Sequence, residues 1–282
     1  MNRTAISLAA LMLAAGPLAG QTVRSYSVDR AVAAAQPPLK ATLEFGAGRV
    51  LLRASTGNAL YDARFRYDAE RFTPIHQYDP RTGLLHLGLE SIGRGGFRVT
   101  SRGHLEQVAR VEFSPNVPLD LETLLGASDA VLDLGGLTLQ RLTVRSGATR
   151  GSVDVATPTK GDCRLATFAV GAAELVAMRL ANAACAVVAV EGGVGRAVLD
   201  FSGTWRRDVQ VDAALAMGSL TLRIPRGVGV QIQAERFLTR LAIPGLEREG
   251  DGWRTPDFVA AGRKLTLTLR ANVAKLDVEW ID

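Results

Sequence analysis

Gly126-Ala127-Ser128-Asp129-Ala130-Val131-Leu132-Asp133-Leu134 decides the fold, because four later segments repeat its pattern. They begin at Gly147 (GATRGSVDV), Gly171 (GAAELVAMR), Gly193 (GVGRAVLDF) and Ala216 (AMGSLTLRI), at spacings of 21, 24, 22 and 23 residues. A period in the low twenties is that of a β-solenoid coil. Four, six and eight residues after each start, the side chain is apolar or small everywhere except at Arg179. A strand with one buried face needs that alternation. Three residues after the starts stand Asp129, Arg150, Glu174, Arg196 and Ser219. Stacked coils would set the first four as acid, base, acid, base, about 4.8 Å apart on one outward face.

A coil of some twenty residues cannot bury its own apolar face, so it has to stack on a neighbour. Its open ends need caps, or they recruit other chains. The prediction is an all-β chain: a parallel β-solenoid-like stack of coils of about 21–24 residues over 119–282, with an N-terminal β capping region over 41–118. Within that region Tyr61–Tyr67 and Leu85–Leu89 alternate as half-buried strands do, and Gly93-Arg94-Gly95-Gly96 reads as a turn. At the far end Leu265–Leu269 and Leu276–Trp280 are expected to close the stack. Gln21–Lys40, with Gln36-Pro37-Pro38 and little periodicity, reads as a flexible lead. No amphipathic helix longer than two turns is expected.

Met1–Gly20 reads as a secretory signal: Arg3, an apolar run over Ala5–Ala15, then small residues at Pro17–Gly20. No cysteine follows it for lipid attachment, and the longest later apolar run, Ala181–Val190, is about half a membrane span. The mature chain is therefore expected to be exported, periplasmic or extracellular, with no transmembrane segment. Its net charge of +5 is mild for 282 residues, and acids alternate with bases. No basic stripe of the kind nucleic acid attracts is present, so no nucleic-acid partner is expected.

The order and spacing of several motifs resemble the bacterial toast-rack family. They are Leu43–Gly48 (LEFGAG), Val117–Leu121 (VPLDL), Leu132–Leu137 (LDLGGL), Leu199–Gly203 (LDFSG), and Leu220–Pro225 (LTLRIP) followed by Gly229-Val230. The resemblance runs from about Ala41 to the C-terminus. It implies stacked β-coils, and it brings no catalytic residues to carry over. Related domains occur in envelope-stress regulators that act on a sensor kinase through membrane helices placed before the domain. This sequence has a predicted signal there instead.

Candidate chemistry is sparse. His76, His86 and His104 are not at ligand spacing, and read as one strand-face and two loop histidines. Gly192–Arg196 is glycine-rich like a phosphate loop, but a strand follows it rather than a helix. Asp133, Asp154 and Asp200 share one coil position, yet Met178 and Arg223 interrupt the row. A calcium site or a polysaccharide-cleaving acid/base pair would need it whole. Trp205-Arg206-Arg207 could contact an anionic glycan or phosphate; the plainer reading folds Trp205 over the coil edge. Cys163 and Cys185 are one coil apart, within reach of a disulfide if their Cβ atoms face each other. No catalytic residue, cofactor or metal site is predicted. The expectation is a non-enzymatic envelope protein that binds or scaffolds a protein or polymer partner. A carbohydrate-active β-solenoid enzyme and an envelope-stress component acting through a membrane partner stand as alternatives.

Overall fold

The computed structural model describes residues 22–92, 107–235 and 244–282. Met1–Gly20, the turn at Gly93–Gly96 and His104 lie outside the described residues. In chain order the strands are β1 (Val23–Ala31), β2 (Leu39–Ala54), β3 (Ala59–Asp68), β4 (Phe72–Asp79), β5 (Leu84–Ser91), β6 (Val108–Phe113), β7 (Leu119–Asp133), β8 (Leu139–Ser146), β9 (Arg150–Asp154), β10 (Leu165–Met178), β11 (Val187–Asp200), β12 (Val209–Pro225), β13 (Gly229–Glu235), β14 (Glu247–Glu249), β15 (Gly252–Arg254) and β16 (Lys264–Ile281). A four-residue 3-10 turn, Leu180–Ala183, is the one helical element among the described residues. The chain is all-β, and its spine is a parallel stack.

Seven rungs form that spine: β2, β7, β8 with β9, β10, β11, β12 and β16, each parallel to the next. The five repeat starts fall in register, since Asp129, Arg150, Glu174, Arg196 and Ser219 pair in sequence along the stack. The row also extends beyond them, to Arg49 on one side and Lys275 on the other. Each long strand consists of two arms meeting at a corner. In β7, Leu119, Leu121, Thr123 and Leu125 are buried before the corner, and Ala130 and Leu132 after it. The buried parity thus switches from odd to even at Gly126-Ala127, which turns both arms toward one core.

Small residues make the corner possible. A Cβ on Gly126 would overlap the carbonyl oxygen of Gly46 on the rung before, and one on Gly171 would come within 2.8 Å of the Gly147 oxygen. Inside, side chains stack in columns such as Leu43, Thr123, Val144, Phe168, Val190, Ala213 and Leu269, all at most 4% exposed. Large and small members are mixed along the column, which fills the space between rungs without a bulky residue on every one.

Three expectations need correction. Val23–Ala31 is a strand rather than part of a flexible lead; it pairs antiparallel with β3, and Tyr26 packs on Phe65 at 6.4 Å between ring centroids. Its periodic signal is short, because only Tyr26 and Val28 turn partly buried apolar groups inward. The N-terminal region is more than a cap, because β2 is itself the first rung and pairs with β7 through both arms. The cap proper is made by β5 on the first arm of β2 and β6 on the second, backed by β4, β3 and β1. Finally, Leu265–Leu269 and Leu276–Trp280 are the two arms of one rung, β16, whose first arm is covered by β13.

Candidate functional site

The outward side of the second arm is the most regular surface on the stack. Arg49, Asp129, Arg150, Glu174, Arg196 and Lys275 are exposed along it, one on every rung but β12, where Ser219 takes the place. Their ion pairs are long: 4.0 Å for Arg150 to Asp129 and 3.9 Å for Arg196 to Glu174. Beside this column run Leu51, Val131, Ser152, Val176 and Val198, with Val131 48% exposed. A shallow cavity of about 420 Å³ opens there, between Val131, Ser152 and Val176.

A third column carries the repeated carboxylates, and local structure engages them. The Asp133 Oδ1 accepts the Gly135 N–H at 3.0 Å, and the Asp200 Oδ1 accepts the Ser202 N–H at 2.7 Å. Asp154 pairs with Arg179. Arg179 stands at an inward repeat position but takes a left-handed backbone, φ 54°, which swings it to that carboxylate as the chain enters the 3-10 turn. Each carboxylate thus ends its strand, a task any tight turn needs done.

The turns after the second arm bring Cys163 and Cys185 together, 4.2 Å apart at Cα with their sulfurs bonded. Sequence reading missed the residue that organises this region, Asn182. It is 4% exposed, donates to the Val155 carbonyl at 2.8 Å and accepts the Thr204 N–H at 2.7 Å, so it joins three consecutive turns. A lone asparagine in an alanine-rich run, Leu180-Ala181-Asn182-Ala183-Ala184, was the available signal. Trp205 is half-buried: its indole N–H donates to the Phe201 carbonyl at 2.9 Å and its ring packs on Phe201. Arg206 donates to the Thr159 hydroxyl at 3.0 Å and to the Gly161 carbonyl. Arg207 reaches the Cys163 carbonyl and Asp162, each at 3.5 Å. The three side chains fasten the loop to coils below it.

His76 and His86 both lie on strands, β4 and β5, not one on a strand and one in a loop. His76 shares a 2.9 Å hydrogen bond with the buried Tyr61 hydroxyl. Burial, reinforced by the Arg30 guanidinium, holds its imidazole below the ordinary histidine value, and burial raises the Tyr61 phenol. His86 meets Glu44 at 3.2 Å. A groove of about 480 Å³ lies near the corner of the first rungs, floored by Gly46, Gly126, Leu124 and Ala169. Of its charged walls, Glu44 is engaged by His86 and Arg145 by Glu122. Among the described residues no three His, Cys, Asp or Glu side chains converge as a metal site. No described helix is long and apolar enough to cross a membrane.

No curated protein matches the chain. Similar solved structures include a candidate cell-adhesion protein from Clostridium sporogenes ATCC 15579, at 16% identity and TM-score 0.46, covering 92% of this chain and 100% of that one. Another is a candidate adhesin from Bacteroides fragilis NCTC 9343, at 13% identity and TM-score 0.41, covering 90% of this chain and 97% of that one. The family model described as the N-terminal domain of toast_rack, DUF2154, matches residues 21–175. With that match over more than half its length, and with the rungs stacked in the register its repeats specify, the chain belongs to the toast-rack family.

Proposed function

We propose that the chain is an exported, non-enzymatic protein of the bacterial envelope, binding or scaffolding a protein or polymer partner through its rigid coil surface. The observation that carries this reading is the parallel register of the second arms of seven rungs, which fixes outward side chains in straight columns. A fixed periodic face suits recognition of an extended partner, because little side-chain or backbone order has to be created on binding. The commitment of Asp133, Asp154 and Asp200 to their own turns supports a binding role over hydrolysis. The signal-like Met1–Gly20 and the paired Cys163 and Cys185 favour an oxidising compartment.

Fractionation of cells producing the full chain, with thiol alkylation before lysis, tests this reading. The expected product is in the envelope fraction, starts near Gln21 and carries no alkylated cysteine. Full-length protein starting at Met1 in the cytoplasm, with both thiols labelled, would overturn it. So would cleavage of linear polysaccharides by the purified chain that is lost in Asp133→Asn or Asp200→Asn.

A further inference from the structure

The second-arm face carries charges that its own chain leaves largely unspent. Asp129, Arg150, Glu174 and Arg196 have side chains 50–80% exposed, and the pairs between them sit at the outer limit of a salt bridge. No hydrogen bond accompanies either pair, in contrast to Arg53 with Glu112 or Arg223 with Glu279 on the next column but one. Between those two columns runs the apolar one, Leu51, Val131, Ser152, Val176, Val198.

A row whose sign alternates every rung has almost no field at a distance, since neighbouring charges cancel within a few ångströms. It therefore neither gathers a polyanion nor gathers a polycation. Only a surface in contact, carrying alternating charge at the same step of about 4.8 Å, can pair with it. That step belongs to stacked β-strands. We infer that this face docks onto the same face of a second copy of the chain, about a dyad parallel to the strands and lying between β9 and β10.

The dyad reverses rung order and keeps column against column. Arg150 then meets Glu174 of the second copy, and Asp129 meets its Arg196. Val131 closes on Val198, and Ser152 on Val176, over the shallow cavity at Gly151. Moving the dyad onto a rung, rather than between two, sets like charges opposite down the first column, so the dyad lies between rungs, and the place between β9 and β10 centres it on the four alternating charges. The arrangement brings Asp133 near Asp200 and Arg53 near Arg223. Each of these four is already engaged within its own chain. Six rungs by one arm overlap, on the order of 600 Å² per copy, below the ~800 Å² of a standard interface, so the dimer is a weak one. It rests on this face alone and holds whether or not the chain is exported.

Sedimentation velocity on the mature chain, with two charge-reversed variants, tests the inference. Asp129→Lys with Glu174→Lys makes the column wholly basic from Arg49 to Arg196, and Arg150→Glu with Arg196→Glu makes it acidic over the four rungs from 129 to 196. The wild type is expected to shift from monomer to dimer as concentration rises. Each variant alone is expected to stay monomeric, and their equimolar mixture to dimerise at least as well as the wild type. If a reversed chain fails to fold, Val131→Glu on the same face is expected to remove the dimer while leaving the fold intact. A wild type that stays monomeric to several hundred micromolar would overturn the inference. So would variants that still dimerise alone, a mixture that does not associate, or a Val131→Glu chain that dimerises normally.

Discussion

Gly126 and Gly147 occupy the same repeat position, yet the stack treats them differently. An added Cβ at Gly126 collides with the backbone carbonyl of Gly46, whereas at Gly147 the nearest atom, the Gly126 oxygen, is 3.5 Å away, an ordinary contact. Gly126→Ala is therefore expected to cost about 1–3 kcal/mol, and Gly147→Ala to stay within about 0.5 kcal/mol. Urea unfolding of both variants reads the difference directly; equal losses would show that the corner relaxes. His76 supplies a pH dependence. Its folded pKa lies below the unfolded one because of burial and Arg30, so between the two values the unfolded chain binds the extra proton. Its contribution to stability is complete above the unfolded value, near 6.5, and is lost as pH falls through that value toward the folded one. Denaturation midpoints measured on either side of that window should diverge in the wild type and diverge less in His76→Gln.

At the scale of the element, the turn that follows the second arm is where the coils are fastened sideways. The Cys163–Cys185 bond closes a loop across adjacent turns 22 residues apart. Replacing both cysteines with alanine is expected to cost about 3 kcal/mol by the chain-entropy argument. Because both residues are nearly inaccessible, reductant should act on the native protein slowly and on the unfolded protein at once. Asn182 fastens the same region without a covalent bond. Asn182→Ala leaves the Val155 carbonyl and the Thr204 N–H without their partner, a loss of about 2 kcal/mol, which thermal unfolding would register. An unchanged midpoint would mean that water replaces the amide. The strands themselves needed little beyond local pattern: β7, β10, β11 and β12 lie where period-two alternation and corner glycines put them. The turns were not legible in the same way, because Asn182 satisfies groups that belong to coils before and after its own.

For the whole molecule, the charge ladder is a register device rather than a source of stability. Exposed pairs of this length contribute at most about 1 kcal/mol each. Neutralising Asp129, Arg150, Glu174 and Arg196 together as Asn, Gln, Gln and Gln should thus leave the melting temperature within a few degrees. Adding about 1 M salt to the wild type should do little more. A large drop in either experiment would make the ladder part of the core energetics. The stack from β7 to β12 was determined by sequence alone, because each coil repeats the same short-range instructions at a constant step. Buried residues at every second position, a small residue at the corner and one charge on each rung from β7 to β11 are all local, and stacking multiplies them. The tertiary structure alone decided that β2 and β16 are rungs too. Gly46-Ala47-Gly48-Arg49-Val50-Leu51-Leu52 matches the repeat, but 80 residues separate Gly46 from Gly126, and β3 to β6 fill the interval. An insertion of that size removes the constant step while leaving the pairing energy unchanged, since a strand pairs with whatever edge its register fits, however far along the chain that edge lies. The seat of β1 on β3 has the same origin: an edge strand is fixed by the strand it lies against, and its own residues carry only half of the information.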